Sequence, residues 1–88
     1  MDNRVAIISI IVEDNGVVYT LNALLHEYGE YIIGRLGIPY REKSINIICV
    51  AIDAPEDRIN TLCGKIGKLA GVNAKINYSN VVTECGTE

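Results

Sequence analysis

One short segment of the chain combines residue types that could bind a small ligand. The run from Glu13 to Gly16 holds two acids, an amide and a glycine, and an apolar helical pattern begins directly after it at Val17. The free N–H groups and the dipole of a helix N-terminus attract carboxylates and similar anions. The same residue types are also common in an ordinary turn with a helix cap, so both interpretations stay open.

A second motif, Gly64-Lys65-Ile66-Gly67, has the Gly-x-x-Gly spacing of loops that clamp a nucleic-acid backbone. It lies inside a continuous helical pattern, and the chain has a net charge of −3. Non-specific nucleic-acid binding needs clustered Lys and Arg, so we expect no direct nucleic-acid binding. A stripe of mostly small residues on one helix side instead favours close packing of another helix or chain. It comprises Asn60, Gly64, Gly67 and Gly71.

The sequence contains no recognisable grouping of catalytic residues. Its one histidine, His26, is expected to be solvated, and its three cysteines form no Cys-x-x-Cys pair. Such cysteine usage favours a reducing, cytoplasmic compartment over a secreted disulfide scaffold. We expect Cys49 and Cys63 to be core residues and Cys85 to be a free thiol. We therefore predict no metal site, no cofactor and no enzymatic activity.

Charged residues gather around Pro39 and Tyr40, namely Arg35, Arg41, Glu42 and Lys43. Charged loop residues are usually only solvated, and a solvated hairpin is one interpretation. The other is a polar contact surface for a partner protein or an anionic ligand.

Length and composition define the kind of domain that must position these residues. The chain has 88 residues, of which 49% are apolar, and Ile and Val together number 22. This length suits one domain, and the apolar content excludes a disordered chain. No apolar run reaches the roughly 20 residues of a membrane helix, and the N-terminus does not have the pattern of a signal peptide. We expect a cytoplasmic protein that does not contact a membrane.

The hydropathy pattern predicts the order strand, helix, strand, strand, helix, strand. The predicted strands are residues 5–12, 31–38, 44–53 and 72–78, and the helices follow the first and third of them. Asp53 is expected to cap the second helix and Gly71 to end it, while Gly29 is expected in a left-handed position after the first. Glycines in the second strand indicate an edge, a bulge or a close approach of another backbone.

This order predicts an α+β fold, a ferredoxin-like two-layer sandwich with an antiparallel sheet in the order 4-1-3-2. Residues 1–79 would form a single domain and residues 80–88 a flexible C-terminal tail. Both helices would cover one face of the sheet, yet the two central strands are apolar on both faces. An exposed patch of that size usually marks an interface, so we predict a homodimer or a higher homo-oligomer. Alternatively, Val81 and Val82 of the tail cover part of that face.

Several segments resemble a known family. Residues 10–29 are similar to the first strand, loop and helix of an ACT domain. The segments Gly-Arg-Leu-Gly-Ile-Pro-Tyr-Arg-Glu at 34–42 and Gly-Lys-Ile-Gly at 64–67 are more specific. They resemble the small proteins called iron-only hydrogenase system regulators, and the resemblance covers residues 4–78. Those proteins are similar to the ligand-sensing half of the nickel-responsive repressor.

The resemblance implies a stand-alone ACT-like module that regulates transcription or hydrogenase assembly. It implies a ligand such as an amino acid, bound at a subunit interface by Asp14, Asn15, Gly16 and Val17. Gly64, Gly67, Ile33 and Arg35 are expected at the interface between subunits. The single histidine does not match the repressor's nickel site, and the first strand begins near residue 4. We therefore expect no nickel site, no DNA-binding arm, and action through a separate regulatory or hydrogenase-maturation protein.

A structural or scaffolding subunit without a ligand is the alternative to a sensor.

Overall fold

The computed structural model describes residues 3–80, which form a four-stranded sheet and two helices. In chain order the elements are β1 (Asn3–Val12), α1 (Val18–Glu27), β2 (Ile32–Tyr40), β3 (Ile45–Pro55), α2 (Glu56–Gly67) and β4 (Val72–Tyr78). The strands lie in the order β2-β3-β1-β4, and all neighbours are antiparallel. This confirms the predicted ferredoxin-like sandwich and its strand order. The part of the predicted tail from residue 81 onward, including Val81, Val82 and Cys85, lies outside the described residues.

The helices cover one face of the sheet, and the alternation of β1 shows which one. Ala6, Ile8, Ile10 and Val12 are at most 1% exposed, whereas the alternate residues Val5, Ile7 and Ile11 are 42–44% exposed. Both sets are apolar, so the central strand has two apolar faces, as predicted, but only one is buried. We call the other the helix-free face.

The buried face packs against the apolar stripes of both helices. Each fully buried Ile or Leu stabilises the fold by about 2 kcal/mol through removal of its surface from water. The core consists of Ala6, Ile8, Ile10, Val12, Leu21, Leu25, Tyr28, Ile48, Val50, Ile52, Ala54, Ile59, Leu62 and Ile66. Within the described part of the chain, no polar or charged residue is buried.

A β-bulge in the edge strand β2 decides which of its side chains meet the helices. Ile32 lies opposite Ile52, but Gly34, two residues further on, lies opposite Ala51, only one residue further on. Successive side chains of a strand point to opposite faces, so this extra residue reverses the alternation. The edge position and the bulge that the glycines indicated are both confirmed.

The reversal moves the apolar residues of β2 to the helix-free face. Without it, Leu36, Ile38 and Tyr40 would share the helix side with Ile32. In the structure they lie opposite Cys49, Ile47 and Ile45. On the helix side, β2 instead presents Arg35, Gly37 and Pro39. All three are exposed, because neither helix covers this part of the strand.

Several predictions about element ends are wrong. Asp53 belongs to β3, opposite Val5, and α2 begins at Glu56 without a side-chain cap. Gly29 begins a 3₁₀ turn and has no positive φ. Strand β2 continues to Tyr40 rather than ending at Ile38, because an edge strand tolerates Pro39, which lacks an N–H.

Gly71 does not end α2, which finishes at Gly67, but it takes the left-handed conformation with a φ of 71°. A Cβ at this position would stand 2.7 Å from the Asp14 Cβ and 3.2 Å from the Asp14 backbone nitrogen. The Gly71 carbonyl accepts a hydrogen bond from the Glu13 N–H at 2.7 Å. The turn before β4 and the loop after β1 are therefore held in direct backbone contact.

We expect the substitution Gly71→Ala to destabilise the protein by about 1–3 kcal/mol, because it adds a strained φ and a contact with Asp14. Gly64→Ala is the matched control. A Cβ there meets nothing within 4 Å, and the change should stabilise the helix by about 1 kcal/mol. Urea unfolding followed by circular dichroism measures both. Similar effects of the two substitutions would contradict the close contact at Gly71.

Candidate functional site

The loop predicted to bind a ligand is closed on itself. The Asp14 Oδ1 accepts a hydrogen bond from the Gly16 N–H at 2.9 Å, and the Asp14 carbonyl accepts one from the Val17 N–H at 3.1 Å. Asp14 therefore acts as the cap of the single 3₁₀ turn Asn15–Val17 that precedes α1. The capping interpretation accounts for these residues, and two of the N–H groups that could hold an anion are already occupied.

The same loop is also tied to the sheet. The Asn46 Nδ2 of β3 donates a hydrogen bond to the Asn15 Oδ1 at 2.7 Å. Together with the backbone bond from Glu13 to Gly71, this fixes the loop between β3 and the turn before β4. The structure does bring Asp14, Asn15, Gly16 and Val17 together, and all but Val17 are exposed.

The helix-free face carries a contiguous apolar patch that spans three strands. Its rows follow the sheet register. In one row Ile11 lies opposite Ile47, which lies opposite Ile38, and in the next Ser9, Cys49 and Leu36 align. We define the apolar patch as Ile7, Ile11, Leu36, Ile38, Ile47 and Cys49.

The apolar patch is open to solvent in a single copy of the chain. Ile7 and Ile11 are 44% and 42% exposed, Ile38 is 47% exposed and Leu36 is 59% exposed. Strand β4 closes one side of it with polar residues, because Asn73, Lys75 and Asn77 lie opposite Ile11, Ser9 and Ile7. The patch therefore has an apolar centre and a polar margin, as protein interfaces do.

The four residues predicted at an interface do not form one surface. Ile33 lies at the bulge and is 64% exposed. Arg35 lies opposite Val50 and so points to the helix side, away from the apolar patch. Gly64 and Gly67 lie on the exposed side of α2 with no atom near their Cβ positions. The predicted stripe is incomplete as well, because Gly71 lies outside α2.

Asn60, the remaining residue of that stripe, has a structural role. Its Oδ1 accepts a hydrogen bond from the Tyr78 hydroxyl at 2.9 Å, which links α2 to β4. The Tyr78 ring also lies 4.2 Å from the Arg4 guanidinium, which pairs with Glu56 at 3.3 Å. These contacts join β1, β4 and the start of α2 at one corner of the sandwich.

Sequence reasoning did not find the groove between the end of α1 and β2. Arg35 and His26 both line this groove but are 9 positions apart in the chain. The alternation of apolar and polar residues gives no sign of the bulge that brings Arg35 to this side of the sheet. Only the glycines of β2 hinted at that irregularity.

The charged turn at the C-terminal end of β2 consists of a local hydrogen bond and exposed charged side chains. The Tyr40 hydroxyl donates a hydrogen bond to the Glu42 Oε1 at 2.8 Å, and all of Arg41, Glu42 and Lys43 are exposed.

The two described cysteines differ in their surroundings. Cys49 was expected in the core but is exposed, because it lies on the helix-free face of β3. Cys63 is partly buried on α2, and this desolvation raises the pKa of its thiol. Among residues 3–80, no three His, Cys, Asp or Glu side chains come together as a metal site, and no described helix is long and apolar enough to cross a membrane.

The fold and its surfaces define a small ferredoxin-like α+β domain, and the comparisons with known proteins give the family. The chain belongs to the TM1266-like family, whose model matches residues 4–76 and is described as "Iron-only hydrogenase system regulator, putative". This confirms the resemblance seen in the sequence. A search of the curated proteins finds no match.

A solved structure of the same family is similar over nearly the whole domain. It is the uncharacterized protein TM1266 from Thermotoga maritima, which is 37% identical in sequence. The match covers 88% of this chain and 98% of that chain, with a TM-score of 0.83.

We expect iodoacetamide to alkylate Cys49 several-fold faster than Cys63 in the folded protein at low concentration. The thiolate is the reacting species, and burial both raises the pKa of the Cys63 thiol and restricts access to it. Peptide mass spectrometry over time measures the two rates. In urea, where the fold is lost, the rates should become similar, and faster labelling of Cys63 in the folded state would contradict its burial.

Proposed function

We propose that the chain is a non-enzymatic regulatory module that works as a homodimer joined through the helix-free face. It would influence the iron-only hydrogenase system through a separate protein partner. The observation that carries the proposal is the apolar patch, which the two-helix layer leaves exposed to solvent. The family description supports a regulatory role.

The size of the apolar patch supports assembly. With Ile7, Ile11, Leu36 and Ile38 at 42–59% exposure, the apolar patch presents on the order of 500 Å² of apolar surface, near the upper end for one patch on a monomer. A standard interface buries about 800 Å² on each partner. The patch with its polar margin is therefore large enough to be the centre of such an interface.

The chemistry of the apolar patch favours a second copy as the occupant. None of its six residues is charged, so two copies can face each other without desolvating an ion, which is the costly part of many interfaces. A two-fold axis brings the same surface from both subunits together. The bulge supports this interpretation, because it places Leu36 and Ile38 beside Ile11 and Ile47 instead of against the helices.

The other functions weighed from the sequence have less support in the geometry. An enzyme would need a nucleophile or an acid–base pair in a cleft, and the sequence contains no recognisable grouping of that kind. A scaffolding subunit without a ligand would use the same helix-free face. A regulator differs from it in binding a partner or a metabolite that changes its action.

We expect Leu36→Glu and Ile38→Glu each to shift the protein from dimer to monomer at micromolar concentration. A carboxylate in the centre of the interface would be buried without a partner, which costs several kcal/mol. Tyr19→Glu is the matched control, because Tyr19 is 85% exposed on α1 and lies outside the helix-free face. Sedimentation velocity measures the oligomeric state.

Circular dichroism must show that the variants are folded, which their exposed positions favour. A second measurement does not depend on a variant: alkylation of Cys49 should slow as the protein concentration rises, while that of Cys63 should not. A wild-type monomer at micromolar concentration, with concentration-independent labelling of Cys49, would refute the dimer.

Amino acid sensing at Asp14, Asn15, Gly16 and Val17 forms part of the proposal, as an ACT-like property. A ligand carboxylate would have to replace the Asp14 side chain at the Gly16 N–H, and the displaced Asp14 carboxylate would then hold the ligand's ammonium group. We expect one free amino acid to raise the melting temperature by mass action, and Asp14→Ala to remove that shift. If none of the twenty common amino acids raises the melting temperature, the sensor in this form is wrong and the dimer is unaffected.

A further inference from the structure

A groove walled by Arg35 and His26, with an apolar floor, lies between the end of α1 and the edge strand β2. It has a volume of about 270 Å³ and is lined by Leu25, His26, Gly29, Ile32, Gly34 and Arg35. Leu25 is 1% exposed and belongs to the core, and Ile32 is half-buried against it. The floor of the groove is therefore continuous with the hydrophobic core.

The charge of this groove is unusual for the chain. Acidic residues outnumber basic ones by 11 to 8, yet no acidic residue lines the groove. Neither the Arg35 nor the His26 side chain has a hydrogen bond or an ion pair with another residue of the described range. Arg4 shows the contrast, because it pairs with Glu56 at 3.3 Å.

The bulge in β2 puts Arg35 in this groove. Strict alternation from Ile32 would turn Arg35 to the helix-free face, whereas the observed register places it opposite the fully buried Val50. Bulges often redirect a side chain next to a binding site. Here the bulge brings a guanidinium to the helix side of β2 beyond Ile32, where neither helix covers the strand.

The two glycines keep the groove open. Nothing lies within 4 Å of the position that a Cβ would take at Gly29 or at Gly34. An anion can therefore approach Arg35 beside open backbone.

We propose that this groove binds a small carboxylate with a short aliphatic body. The Arg35 guanidinium offers two parallel N–H donors that match the two carboxylate oxygens. The His26 ring offers a further N–H donor, since the imidazole carries one in either charge state. The aliphatic body contacts Ile32, which is only half-buried.

The groove has enough room for such a ligand. Its volume of about 270 Å³ lies just below the roughly 300–1,000 Å³ of sites for drug-sized molecules, so a carboxylate with a short aliphatic body fits within it. The site also lies on the opposite side of β2 from the apolar patch. A monomeric protein would keep it, so this proposal and the proposed dimer succeed or fail separately.

Titration of ¹⁵N-labelled protein with isobutyrate, at constant ionic strength, tests the proposal. We expect saturable amide shifts confined to residues 25–35 at about 20 mM ligand, a concentration that fills a millimolar site. Acetate, which lacks most of the aliphatic body, and inorganic phosphate, which lacks all of it, should bind several-fold more weakly.

Arg35→Gln should weaken isobutyrate binding by about tenfold, the usual effect of losing a charge-assisted hydrogen bond. Arg41→Gln is the matched control, because it removes the same charge from an exposed turn outside the groove. It should change the affinity by less than twofold, within the range for screened surface charges.

Three results would overturn the proposal. The first is the absence of saturable shifts in residues 25–35. The second is equal weakening by both arginine substitutions, which would show general attraction of anions. The third is phosphate binding as tight as that of isobutyrate, which would leave an adventitious ion only and no role for the apolar floor.

Discussion

The surfaces of this domain depend on one extra residue in the edge strand β2. Ile32 and Gly34 face successive residues of β3, so the side chains that follow change sides of the sheet. A strand has a period of two, and a shift of one residue exchanges its two faces completely. Leu36 and Ile38 thereby join the helix-free face, and Arg35 joins the helix side.

The rest of the sandwich is compatible with this shift because of where the helices lie. Helices α1 and α2 pack on β1, β3 and β4, where Val50 and Ile52 are fully buried. They do not cover β2 beyond Ile32, so Arg35 can stand on the helix side without being desolvated. An arginine on the helix side of β1 would be buried without a partner, at a cost of several kcal/mol.

The central strands and the topology could be predicted because their signals are redundant. Two runs of Ile and Val that are apolar on both faces require the centre of a sheet, and the element order then leaves few topologies. The clean alternation of residues 72–78 predicted β4 to the residue. The resemblance to the regulator family agreed with the pattern and is confirmed by the family model.

The wrong predictions about element ends lie where two local sequence signals competed. Asp53 has the residue type of a helix cap, but pairing with β1 continues to Pro55 and keeps it in the strand. Gly29 and Gly71 both follow a helical pattern, and only Gly71 meets a neighbour, Asp14, that leaves no room for a Cβ. Such contacts join residues far apart in the chain, and a single sequence contains no signal for them.

The same limit explains what was missed at the candidate sites. The charged group around Arg35 was treated as one cluster, but its members lie on different surfaces once the register is known. The loop at Asp14 was predicted as one ligand-binding segment, but its internal hydrogen bond at Gly16 and its hydrogen bond with Asn46 could not be read from spacing. Strand β2 presents apolar side chains on the helix-free face and Arg35 on the helix side, so both the proposed dimer interface and the proposed carboxylate site include this strand.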